Sequence, residues 1–187
     1  MRRLLALLLL AALTPPAAAE EALWQALANG GHVAVLRHAD APGTGDPAGF
    51  TLADCATQRN LGDAGRAQAT ALGDRFRAEG VAVGAVLSSA WCRCLDTARL
   101  MALRDPAVEP ALNSLYDGQG DRPRQLAALT ALVAGWTGPG TLLLVSHASV
   151  IGPLTGVYPR EGQIVVRAPA PGSAAGFQVL GRLPPAS

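Results

Sequence analysis

The sequence predicts an α/β fold, a three-layer sandwich with a mostly parallel central sheet flanked by helices. Three observations predict it. Short Val/Leu-rich runs of strand length alternate with longer stretches of helical periodicity. Glycine and proline punctuate the transitions, as in Gly30-Gly31, Gly80 and Gly138-Pro139-Gly140. Three of the runs end in polar or titratable residues, at Arg37-His38, Ser88-Ser89 and Ser146-His147. In an open α/β sheet, ligands bind beyond the carboxyl ends of such strands.

The first nineteen residues read as a secretory signal peptide. Arg2-Arg3 is a positive n-region, Leu4 to Leu13 an apolar h-region, and Ala17-Ala18-Ala19 an A-x-A cleavage site. The stretch is short for a spanning helix; an uncleaved anchor is the alternative. Cleavage after Ala19 leaves residues 20–187 as a single domain of 187 − 19 = 168 residues, large enough for a core of its own. A helix bearing Leu23, Trp24 and Leu27 on one face opens this domain and ends at Gly30-Gly31. The first strand is His32 to Arg37. A long polar loop, Ala39 to Asn60, follows, and loops of that length are usually functional.

Asp63 to Glu79 is the clearest helix, with Ala69, Leu72 and Phe76 on one face and Gly80 as its stop. Val81 to Ser89 contains the second strand, and Trp91 or Cys92 to Leu103 the next helix. Ala107 to Leu112 is a weaker strand. Arg124 to Trp136 is an apolar-faced helix, and Thr141 to Val145 the most strand-like run of all. A short helix or turn reaches Gly156. Gln163 to Arg167 and Phe177 to Leu180 then form a hairpin. No internal repeat and no linker divides the chain.

Composition excludes some functions. Without Arg2 and Arg3 the charged residues fall from 15 basic and 14 acidic to 13 and 14, a net charge of −1, with no basic stripe to bind nucleic acid. Every cationic side chain is arginine. No dinucleotide fingerprint, phosphate-binding Gly-x-x-x-x-Gly-Lys loop or Gly-x-Ser-x-Gly elbow occurs. In an exported chain the three cysteines suggest one bridge and one spare thiol. We expect Cys55 to pair with Cys92 and Cys94 to be buried as a small apolar residue. A metal site is the other reading of Cys92-x-Cys94, but no histidine stands nearby in the sequence, and no metal or cofactor is expected.

Two arginines and two histidines at three strand ends suit a bound oxyanion. Guanidinium forks match phosphate oxygens, and imidazole can attack phosphorus or move protons. A lone Arg-His pair reads equally well as a surface pair, His147 alone is more often structural than catalytic, and His32, ahead of its strand, is taken as structural. The repetition carries the argument.

Four segments resemble the motifs of the histidine phosphatase superfamily, in that family's order. Leu36-Arg37-His38-Ala39 resembles its Arg-His-Gly signature, with alanine for glycine. Leu61-Gly62-Asp63-Ala64-Gly65-Arg66-Ala67-Gln68-Ala69 resembles its Leu-Thr-x-x-Gly-x-x-Gln-Ala helix start. Ser89 to Ala98 is similar to its Ser-x-x-x-Arg-x-x-x-Thr-Ala segment, and Ser146-His147 to its late Ser/Thr-His. The resemblance implies that His38 is a nucleophile forming a phosphohistidine, with Arg37, Arg93 and His147 around the phosphoryl oxygens.

Three departures matter. Ala41 and Thr44 stand where a hydroxyl residue and an asparagine are common, so Arg59 and Asn60 are candidate replacement donors. Leu112-Asn113-Ser114 stands where many members carry Leu-x-Glu, so the general acid is open. Asp117 is the first candidate for it, with Asp40, Glu109 and Asp121 as further possibilities. Gly62 replaces threonine at a helix cap. The expected function is a periplasmic or secreted phosphomonoesterase acting on a phosphorylated small molecule or envelope component, without stable membrane insertion once the signal is removed. The alternatives are a phosphohistidine-protein phosphatase, a lipopolysaccharide sugar-phosphate phosphatase, and a non-catalytic phosphoanion-binding protein. Oligomeric state is not legible.

Overall fold

A computed structural model describes residues 16–170, 172–173 and 176–186. Most of the expected signal peptide, and part of the loop expected between the last two strands, lie outside the described residues. The elements are α1 (Pro16–Ala28), β1 (Val33–Arg37), α2 (Asp63–Ala78), β2 (Val83–Ser88), α3 (Cys92–Leu100), β3 (Ala107–Val108), α4 (Arg122–Ala134), β4 (Thr141–Ser146), α5 (Ala148–Thr155), β5 (Ile164–Pro169) and β6 (Phe177–Leu183). Among the described residues no helix is long and apolar enough to cross a membrane.

One six-stranded sheet runs in the order β3-β2-β4-β1-β5-β6. The first four are mutually parallel; β5 returns antiparallel beside β1, and β6 pairs antiparallel with β5. Side chains alternate across the sheet, so each central strand feeds two cores. Ala34, Leu36, Leu143 and Val145 pack with Trp24 and Leu27 of α1, Leu72 and Phe76 of α2, and Ala98 of α3. Val33, Val35, Leu142 and Leu144 pack with Leu129 and Val133 of α4, and Ile151 and Leu154 of α5. A fully buried Leu or Phe contributes roughly 1.5–3 kcal/mol, so these two layers fix the sheet.

Register sets the site. Arg37 pairs with Ser146 and Ser88 with Val145, so the segments after β1, β2 and β4 emerge side by side. His38, Ser89 and His147 are the first residues beyond those three ends.

Two expectations are corrected in detail. The strand expected over 107–112 is two residues long, followed by a 3-10 turn at Pro110–Leu112. The Glu109 carboxylate caps the Ala111 N–H at 2.9 Å, and Pro110 has no N–H to give a ladder. Helix α4 begins two residues early because Asp121 caps the Arg124 N–H at 3.1 Å with Pro123 in the first turn. Helix α1 begins at Pro16, so the cleavage point expected after Ala19 falls within it; residues 17–19 are exposed.

Candidate active site

The site forms because three separate elements, β4, α3 and α2, hold the segment that follows β1. His38 N–H donates to Ser146 O at 3.0 Å, continuing the β1–β4 ladder by one residue. Ala39 N–H donates to Thr97 Oγ1 at 3.0 Å, and Thr97 in turn donates to Arg93 O at 2.7 Å. Asp40 N–H donates to Gln68 Oε1 at 3.0 Å. Gly65 allows α2 to reach this segment, since a Cβ there would lie 1.9 Å from Asp40 O. The Gly, Gln and Thr of the sequence motifs thus place the backbone beside His38.

His38 is buried, 2 % exposed, and its Nδ1 lies 2.8 Å from Ala39 O. A carbonyl only accepts, so Nδ1 carries the proton and Nε2 keeps the lone pair. Its pKa is pushed down to about 3, first by burial and then by the charges of Arg93, Arg37 and Arg59, against the opposing pull of the Ala39 carbonyl. The ring is neutral at physiological pH and ready to act as a nucleophile.

The three arginines are positioned by carboxylates and carbonyls. Arg93, in the first turn of α3, makes a two-pronged ion pair with Asp46: Nη1 to Oδ1 at 2.7 Å and Nη2 to Oδ2 at 3.2 Å. Asp46 also accepts from the Trp91 indole at 3.0 Å and from Arg59 N–H at 3.0 Å. Burial opposes the Asp46 charge, but these bonds, Arg93 foremost, hold its carboxyl below the usual range. Arg37 donates to Pro159 O at 3.2 Å and Glu161 Oε1 at 2.9 Å. Arg59 donates to the carbonyls of Ala41 and Gly43 and reaches Glu161 at 3.5 Å; burial lowers its pKa. The Nε–H of each of these arginines is buried with no partner among the described residues. The three arginines line one cavity, and a wall of guanidinium groups fits an oxyanion.

His147 caps the wall, with ring centroids 5.4 Å from both His38 and Trp91. Its Nδ1 lies 3.4 Å from Arg93 Nη2, and its Nε2 lies 2.9 Å from Ser89 Oγ. Because Arg93 can only donate, that contact makes Nδ1 the acceptor and gives Nε2–H to Ser89. Burial, then His38 and the arginines, hold its pKa well below the ordinary value. The direct grip on a phosphoryl oxygen implied by the resemblance therefore requires a donor: Nε2–H must leave Ser89, or Nδ1 must part from Arg93 and take up a proton.

Arg37, His38, Arg59, Arg93 and His147 surround one cavity of 140 Å³, with Asp46, Thr44 and Ser114 also in its wall. Asn60 is not in it: its amide donates to Cys55 O at 2.6 Å and Gln58 O at 3.2 Å, closing the loop turn. Asp117 is exposed on a turn with φ 56° and does not line the cavity either. Glu109 and Asp121 are helix and turn caps, as above. Cys55 and Cys92 are bridged, with Cα atoms 5.7 Å apart, which ties the long loop to the start of α3. Cys94 is free and buried; its thiol pKa is pushed up to about 12, chiefly by burial. Asp46 and Glu161 are the site residues that sequence reasoning missed. Among the described residues no group of three or more His, Cys, Asp or Glu side chains could hold a metal ion.

A neutral imidazole facing a wall of arginines at the ends of parallel strands defines a phosphoryl-handling α/β protein. The family model of the histidine phosphatase superfamily (branch 1) matches residues 33–119 of the chain. No curated protein matches the chain. Among solved structures it resembles the protein histidine phosphatase SixA complexed with tungstate, at 20 % identity over 81 % of this chain and 96 % of that one, with a TM-score of 0.59. The putative phosphohistidine phosphatase SixA from Nakamurella multipartitia gives 21 % identity, 83 % and 96 % coverage and a TM-score of 0.58. Phosphoserine phosphatase from Entamoeba histolytica, in complex with 3-phosphoglyceric acid, gives 13 % identity, 82 % and 96 % coverage and a TM-score of 0.60. At these identities the likeness is one of fold.

Proposed function

We propose that the protein is an exported phosphatase that passes a phosphoryl group through His38 Nε2 to water. The observation that carries this reading is the neutral, tautomer-fixed His38 beside three guanidinium donors that line one cavity with it. The donors would hold the phosphoryl oxygens while Nε2 attacks in line, and the fixed cations would stabilise the charge of the transferring group.

The leaving-group side supports a narrower substrate class. Ser114 stands at the Leu-x-Glu position and lines the cavity. The carboxylate in the wall, Asp46, is held ionised by its four donors and has no proton to give. Without a poised acid, turnover favours groups that leave without protonation, such as aryl phosphates and phosphoramidates, phosphohistidine included. A cavity of 490 Å³ shares Ser114 with the phosphate pocket and gives such a group room beside Trp91 and Arg124. The signal-like N-terminus supports an envelope or secreted location. The Asp46 fork on Arg93 favours a second reading, an anion-binding protein whose clamp is occupied from within.

Hydrolysis of p-nitrophenyl phosphate by wild type and His38→Ala tests the proposal. Activity in the wild type that is lost in the variant is the expected result. Phosphate binding without hydrolysis by the wild type would establish the second reading instead.

A further inference from the structure

Glu161 lies in the turn that leads into β5, and that turn is pinned to the nucleophile segment. Gly162 N–H donates to the carbonyls of Arg37 at 3.2 Å and His38 at 3.0 Å, and Arg37 N–H donates to Gln163 O at 3.2 Å. Gly162 has φ +73°, and a Cβ there would lie 2.4 Å from Gln68 Oε1, the oxygen that also accepts from Asp40 N–H. The turn is thus held against both β1 and α2. Its position brings three groups to one carboxylate oxygen. Glu161 Oε1 is 2.9 Å from Arg37 Nη2, 3.5 Å from Arg59 Nη1 and 4.0 Å from His38 Nδ1. Glu161 does not line the phosphate cavity; it stands on the Nδ1 side of the ring.

We propose that Glu161 is the counter-charge of the phosphorylated nucleophile, a positioning residue that fixes Arg37 and Arg59 and offsets the positive charge formed on the His38 ring. This rests on the phosphatase reading above. In the first half-reaction the Nε2 lone pair forms the N–P bond. The bond from phosphorus to the leaving atom breaks, its electron pair stays on that atom, and water supplies any proton it takes up. The Nδ1 proton remains in place, so the ring gains one positive charge. In the second half-reaction a water oxygen bonds to phosphorus, the N–P pair returns to Nε2, and the water proton passes to solvent. Arg37, Arg59 and Arg93 favour the phosphoryl oxygens but all oppose the positive charge on the ring. The Ala39 carbonyl answers it with only a dipole, whereas Glu161 brings a full negative charge within 4.0 Å.

Glu161→Gln separates this role from a shape-only one. The amide keeps an acceptor for Arg37 but removes the charge. Phosphohistidine formation, measured by rapid quench with p-nitrophenyl phosphate, should slow roughly ten- to hundredfold, the range expected for losing a partly screened charge at that distance. Inhibition by inorganic phosphate should be unchanged or stronger, because a negative charge beside two arginines has gone. Glu161→Asp, which keeps the charge, should recover much of the rate and guards against loss of fold in the amide variant. Unchanged phosphorylation in Glu161→Gln, or equal weakening of phosphate binding and phosphorylation, would overturn the proposal. A wild type that forms no phosphohistidine would refute the phosphatase reading, and this inference with it.

Discussion

Replacing Asp46 by Asn strikes the most heavily bonded carboxylate of the site. Its side chain is 6 % exposed and that of Arg93 is 4 % exposed, so the pair is shielded from water on both sides. Asp46 accepts four hydrogen bonds, two from the Arg93 guanidinium, one from the Trp91 indole and one from Arg59 N–H. An asparagine offers one acceptor oxygen and turns an NH₂ toward donors, leaving at least one donor facing another and the Arg93 charge unbalanced. Breaking a buried ion pair from one side costs about 3–5 kcal/mol, and the rim position of the loop argues for the lower end, about 3 kcal/mol. For a domain of this size that is a fall of roughly 6–12 °C in Tm, measured by circular dichroism with the disulfide intact. The pH dependence has a definite sign. The folded carboxyl pKa lies below the ordinary value of 3.8, so the wild-type advantage is complete above that value and is lost as pH falls through the folded pKa. A variant within about 0.5 kcal/mol of wild type, the scale of a surface substitution, would refute the shielded-pair argument.

Two further predictions concern the loop and the nucleophile. Reducing the Cys55–Cys92 bridge, which spans 37 residues, should cost about 4 kcal/mol by the chain-entropy relation. Thermal unfolding with and without reductant measures this, and a shift absent on reduction would show that other contacts hold the loop. NMR titration of His38 should show no protonation between pH 7 and pH 5, because burial and three arginines hold its pKa near about 3. By linkage its neutral burial contributes stability that is complete above the ordinary value of 6.5 and declines as pH falls below it toward the folded pKa. A midpoint near 6.5 would contradict the buried, cation-lined setting.

The sheet and most of the site were legible because they rest on local signals. Val33 to Leu36 and Leu142 to Val145 are apolar runs that suit strands buried on both faces, and Arg37-His38 and Ser146-His147 follow them directly. The two site carboxylates carry no such signal. Asp46 is one acidic residue in a polar loop, distinguished only once the Cys55–Cys92 bridge and α3 bring it to Arg93, 47 residues away. Glu161 reaches Arg37 across 124 residues through the antiparallel pairing of β5 with β1, a register that composition does not encode. Asn60 and Asp117 illustrate the reverse. Polar loop residues near a motif look like ligands, but Asn60 answers the carbonyls of its own turn and Asp117 faces solvent. Glu109 was legible as an acid but not as a cap, because the 3-10 turn it closes depends on Pro110 ending the strand.

The central claim is that the phosphoryl group resides on His38. Mature wild-type protein mixed with p-nitrophenyl phosphate and quenched within one turnover should yield a base-stable, acid-labile phosphate, which mass spectrometry places on the peptide containing His38. Phosphate released with no label on that peptide, or a label that persists in His38→Ala, would contradict it.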